Sequence, residues 1–143
     1  MTGMGPSVQE IESAVREALA TRAGIVSAYL FGSMAEGRGH RESDVDLGVL
    51  LDRASHPTAA ARFDERLRLA GGLRGALRRD VDVVILNEAP PQLARRILTE
   101  GRRIVLCDRD ADHAFLRTTL SRAADLEPFL RRARRVKLAA IGR

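Results

Sequence analysis

Tryptophan is absent from this sequence, and aromatic residues make up only 3% of it. Single-stranded nucleic acid is held largely by stacking on aromatic side chains, so a polymerase or strand-binding protein is disfavoured. The core must be built from Leu, Val, Ile and Ala. One cysteine, Cys107, excludes an internal disulfide and a cysteine-rich metal site. It follows an apolar run and is expected to be a small buried residue. No apolar run approaches about 18 residues, so no membrane span is expected. The first residues have no charged segment ahead of an apolar one, so no signal peptide is expected, and the expected location is cytoplasmic. The three histidines, His40, His56 and His113, are too scattered for metal-ligand spacing. Lysine is almost missing: Lys137 stands against 23 arginines.

What remains is an ordinary globular composition, 45% hydrophobic and 30% charged, in 143 residues. That length suits one domain with its own core. The net charge of +5 is unevenly placed. Residues 131–143 carry six positive charges and no acid, more than the whole net charge. The basicity therefore belongs to the C-terminal end, as a solvated helix face or a contact for RNA or an acidic partner, and not to a face of the domain.

Periodicity places the elements. Ser7 and Glu10 form a capping-box pattern ahead of Val8, Ile11, Val15 and Leu19 at helical spacing. Residues 25–31 read as a strand ending at Gly32-Ser33, and residues 34–36 as a short helical turn. Residues 44–51 read as a second strand. A helix is expected over 57–79, with Phe63, Leu67, Ala70, Leu73 and Leu77 near one face. A third strand follows over 81–86, a helix over 90–99 and a fourth strand over 104–107. From about residue 110 a helical pattern runs toward the end. Pro128 predicts a break or kink near Glu127, and an apolar stripe continues beyond it. The order predicts an α/β fold with a small mixed sheet of about four strands, flanking helices and a long C-terminal helical segment. The division expected is a domain over 1–109 and a helical extension over 110–143, packing on that domain or on a partner.

The chemistry concentrates in "FGSMAEGRGHRESDVDLGVL". Side chains alternate along a strand, so Asp44 and Asp46 share a face, roughly 7 Å apart by Cα. Val45, Leu47 and Val49 face the core, and Gly48 leaves room on the aspartate face. Two carboxylates held together repel unless a cation neutralises them. Mg²⁺ suits such a pair, because it takes hard oxygen ligands and often one or two carboxylates plus substrate phosphates. Gly32-Ser33, at the end of the neighbouring strand, offers close backbone approach and a hydroxyl to a phosphate. Neither a P-loop nor a nucleophile elbow is present. Arg38, His40 and Arg41 are further candidates for phosphate contact. A third acid is expected from "RRDVDVVIL". Asp82, inside the strand among valines, is favoured as metal ligand or general base, with Asp80 as the alternative.

The pattern of Gly32-Ser33, Asp44-x-Asp46 and a following strand with Asp82 resembles the minimal nucleotidyltransferases of the polymerase-beta superfamily. The segments "VDVVILNEAPPQLARRILTEGRRIVLCD" and "DLEPFLRR" resemble the MntA-like antitoxins that pair with HEPN-domain toxins. The resemblance implies transfer of AMP from ATP to a tyrosine of a HEPN ribonuclease, which silences it. It implies Mg²⁺ at Asp44 and Asp46, with Asp82 as third acid, and phosphate binding at Gly32 and Ser33, to which Arg41 is added as a candidate. A two-metal site would then serve in-line displacement. The short chain leaves little room for an acceptor-binding domain, so the acceptor is expected on another protein, a HEPN toxin encoded beside it. The competing readings are an antitoxin that works by stoichiometric contact alone, and a nucleotidyltransferase acting on a small molecule.

Overall fold

The computed structural model describes residues 7–32, 35 and 44–141. The expected turn over 34–36 and the candidates Ser33, Arg38, His40 and Arg41 lie outside the described residues, Ala35 apart. Helix α1, Val8–Ala20, opens with the full capping box: the Ser7 hydroxyl accepts from the Glu10 amide and the Glu10 carboxylate accepts from the Ser7 amide. Strands β1 (Ile25–Phe31) and β2 (Val45–Leu51) follow, then α2 (Ala59–Leu77), β3 (Val81–Ile85), a 3-10 turn Leu86–Glu88, α3 (Pro91–Glu100), β4 (Arg102–Leu106) and α4 (Arg109–Ile141).

The sheet order is β3-β2-β1-β4. β1 is antiparallel to both β2 and β4, whereas β2 and β3 run parallel, joined through α2. Because the sheet carries helices on both faces, its central strands β1 and β2 are buried on both sides, while the edge strands β3 and β4 are only partly covered. One face packs Ala28, Leu30, Val45, Leu47 and Val49 against Ile11, Val15 and Leu19 of α1 and Leu69, Leu73 and Leu77 of α2. The other packs Val26, Tyr29 and Leu50 against Ala94, Ile97 and Leu98 of α3 and the first turns of α4.

Four expectations change. On α2 the buried line is Glu65, Leu69, Leu73 and Leu77, while Phe63 and Leu67 stand more than half exposed. Glu65 is buried because Arg22 pairs with it from the end of α1. Cys107 lies past the end of β4 and is exposed. Helix α4 runs unbroken through Pro128. A proline there removes one backbone bond to the carbonyl of Ala124. Ala124 is exposed, so water can satisfy that carbonyl.

The fourth concerns Gly48. Its missing side chain does not open space for a ligand; α3 and the 3-10 turn fill that space. A β-carbon at Gly48 would stand 2.8 Å from Ile97 Cγ2 and 3.4 Å from Leu86 Cδ2. Gly48→Ala is therefore expected to destabilise the fold by about 1–3 kcal/mol through overpacking. A urea-unfolding midpoint equal to the wild type's would contradict this close fit.

Candidate active site

β1 ends at Phe31, whose Cα partner across the antiparallel pair is Asp46. On its other side Asp46 is in parallel register with Asp82. Sheet pairing alone therefore places an aspartate of β3 beside an aspartate of β2, next to the end of β1. Asp44 precedes β2 by one residue and is exposed. Gly32 follows Phe31 with φ +76°, a left-handed conformation that glycine adopts without strain. A β-carbon there would overlap Asp46 Oδ2. Glycine thus satisfies two demands at once: the turn out of β1 and the close passage of the backbone by the carboxylate.

The electrostatics follow from this crowding. Burial pushes the Asp46 carboxyl above the usual carboxylate range, and the charges of Asp82 and then Asp44 push it further the same way. Asp82 is 59% exposed, and its Oδ1 lies 3.9 Å from Arg66 Nη2. Arg66 is anchored by its Nε on the Val83 carbonyl at 2.8 Å. Asp80 is 76% exposed, faces Arg74 at 3.8 Å, and lies just before β3, outside its register with β2. The structure therefore brings Gly32, Asp44, Asp46 and Asp82 together and leaves Asp80 outside. Arg66 was not foreseen: its role depends on α2 crossing the open edge of β3, which no local spacing reveals.

These donors fit a divalent cation. They are hard oxygen ligands of like charge, and their repulsion is what a cation would relieve. Among the described residues no three or more His, Cys, Asp or Glu side chains are grouped so that they alone could hold a metal ion; Mg²⁺ commonly uses only one or two carboxylates, with water and substrate phosphates supplying the other ligands.

A separate buried group anchors α4. The Tyr29 hydroxyl donates to Asp112 Oδ1 at 2.7 Å, and Arg103 Nη1 meets Asp112 Oδ2 at 3.1 Å. Burial, then the bond to Asp112, pushes the Tyr29 phenol up to about 12. The group joins β1, β4 and α4. Among the described residues no helix is long and apolar enough to cross a membrane.

Comparison with known proteins agrees with this arrangement. Residues 13–111 match the family model for polymerase beta nucleotidyltransferases. The chain is 38% identical over 95 residues to the protein adenylyltransferase MntA of Shewanella oneidensis, covering 65% of this chain and 62% of the relative. The match thus spans about three fifths of that relative's length. A toxin–antitoxin crystal structure with AMP-PNP contains a chain of TM-score 0.68 and 28% identity, covering 92% of this chain and 98% of its own. A second similar chain, of TM-score 0.65 and 26% identity, comes from a structure of a tri-AMPylated Shewanella oneidensis HEPN toxin with its MNT antitoxin. It covers 95% of this chain and 99% of its own. With a matching model over most of its length and the aspartates of adjacent strands in register, the chain belongs to the polymerase beta nucleotidyltransferase family.

Proposed function

We propose that the chain transfers AMP from ATP to a tyrosine hydroxyl of a HEPN partner toxin and so acts as its antitoxin. The observation that carries this reading is the register of Asp46 with Asp82, with the Gly32 backbone against the Asp46 carboxylate. Three carboxylates beside the half-buried Gly32 suit a nucleoside triphosphate that brings a divalent cation with it. The relatives support the choice of acceptor, since one is named a protein adenylyltransferase and another was solved beside an AMPylated HEPN toxin.

Asp44 and Asp46, joined by Asp82, would hold Mg²⁺, which when bound neutralises charge on the triphosphate and the leaving group. Gly32 and Ser33 receive the phosphates, with Arg41 as a further contact. Asp82, exposed enough to meet an incoming group, accepts the proton of the acceptor hydroxyl. The hydroxyl oxygen bonds to the α-phosphorus as the bond to the bridging oxygen breaks. Pyrophosphate departs and AMP remains on the partner. Catalysis then rests mainly on positioning and charge neutralisation.

The test uses ATP labelled in either the α- or the γ-phosphate, with the HEPN protein encoded beside this chain. Label from the α position is expected on a tyrosine of that protein, and label from the γ position is not. Transfer of γ-label would make the reaction phosphorylation. Neutralisation of the toxin with neither label attached would favour stoichiometric contact.

A further inference from the structure

The buried residues of α4 are Asp112, Thr119 and Ala123. Past Ala123, where Gln92 Nε2 of α3 donates to the Ala123 carbonyl at 2.9 Å, no residue of the helix is buried. At 1.5 Å rise per residue, residues 124–141 extend roughly 25 Å beyond the body. Helices gain most of their stability from packing an apolar face, and this one keeps such a face unused. Leu126, Phe129 and Leu130 share one side of the helix and are exposed, and Val136, Leu138 and Ile141 are exposed further along, with Val136 and Leu138 on nearly opposite sides. Leu126 and Leu130 stand two turns beyond Thr119 and Ala123, so they prolong the face by which α4 packs on α3. A cleft of about 320 Å³ marks the corner where the two helices part, with Gln92 and Arg95 on one wall and Ala123, Glu127 and Arg131 on the other.

Charge and shape decide what can occupy this corner. Arg131, Arg132 and Arg135 flank Leu126, Phe129 and Leu130, Arg134 and Lys137 follow Leu130 on the same face, and Glu127 is shared by Arg131 and Arg134 at 3.3 Å each. A second copy of the chain would bring the same positive charge against it, and like charges oppose that pairing. A flat lipid surface cannot lie along Leu126 and Leu130, because the body projects from that side of the helix. A ridge can enter the corner. The likeness to chains from toxin–antitoxin structures, over 92% and 95% of this chain, also reaches into this arm.

We propose that residues 124–141 of α4 are a docking arm for a helical surface of the partner protein, an apolar ridge flanked by carboxylates. This rests on the reading that the acceptor hydroxyl belongs to such a protein. The arm holds the acceptor protein at a distance from the chemistry, so it governs how tightly the partner is held and not the rate of transfer once it is bound.

The experiment measures AMP transfer against concentration of the neighbouring HEPN protein, with direct binding by calorimetry in the absence of ATP. Phe129→Glu with Leu130→Glu, both at exposed positions, is expected to raise KM at least tenfold with kcat within twofold. Arg134→Glu with Lys137→Glu is expected to raise KM and flatten its salt dependence. Unchanged KM in the first variant overturns the proposal, as does a wild-type chain that fails to bind the HEPN protein. If the wild type binds but transfers nothing, the catalytic reading falls while the arm is still decided by calorimetry: binding lost in Phe129→Glu/Leu130→Glu supports it, and binding retained overturns it. Binding of the wild type to anionic vesicles or to RNA that this variant abolishes, with HEPN binding intact, also overturns it.

Discussion

Asp46→Asn is expected to lower AMP transfer by about 10³-fold while leaving the melting temperature unchanged or slightly raised. The two outcomes share one cause. Asp46 is the most crowded carboxylate of the site, pushed upward by burial and by the charges of Asp82 and Asp44. That crowding costs stability in the free protein and is useful only when a cation and a triphosphate arrive. Asparagine keeps the shape and leaves the β2 backbone ladder to β1 and β3 untouched. It removes the charge, so it removes both the function and the repulsion. Initial rates with α-labelled ATP and a thermal melt of the same preparation check the pair together. Transfer within tenfold of wild type would show that Asp46 does not serve the reaction. A melting temperature lower by many degrees would show that the carboxylate is structural.

The residues of this site are legible in the sequence, and the reason is local; their register is not. β1 was delimited residue for residue, because an apolar run between Gly24 and Gly32 has sharp edges. Asp44 and Asp46 declared themselves as charges interrupting such a run. Asp82 stood out from Asp80 because valines surround it, and the pairing Asp46↔Asp82 followed once β2 and β3 were parallel neighbours. What could not be read depends on residues far apart in the chain. Arg66 reaches Asp82 only because α2 crosses β3. Gly48 looked like empty space until Ile97 and Leu86 occupied it. On α2 the expected stripe of Phe63, Leu67, Ala70, Leu73 and Leu77 shares Leu73 and Leu77 with the buried line, but its first half, Phe63 and Leu67, is exposed. The true stripe begins with a glutamate, whose partner is 43 residues earlier.

That glutamate carries the largest expected effect on stability. Arg22 Nε donates to Glu65 Oε2 at 2.8 Å and Arg22 Nη2 to Oε1 at 2.5 Å. The carboxylate is 4% exposed and the guanidinium 35%, and His56 Nε2 lies 4.0 Å from Oε1. The Arg22 hydrogen bonds hold the Glu65 carboxyl below the usual range despite its burial, helped by the charge of Arg22 and, more weakly, of His56 and Arg68. Glu65→Gln keeps the volume but leaves Arg22 facing a neutral amide, one end of which is itself a donor. The expected loss is about 2–3 kcal/mol at neutral pH, toward the low side of measured buried pairs because Arg22 is partly in water. The pH dependence fixes the cause. A carboxyl depressed in the folded state stabilises fully above its unfolded pKa of about 4.3, and that contribution disappears as pH falls through the lower folded value. Urea unfolding at pH 7 should therefore separate the wild type from Glu65→Gln widely, and the gap should close as pH drops below about 4. Parallel curves down to pH 3 would mean that Glu65 acts by packing and not by charge. In that case Arg22, which joins the end of α1 to α2, would contribute little to holding the helical layer against the sheet.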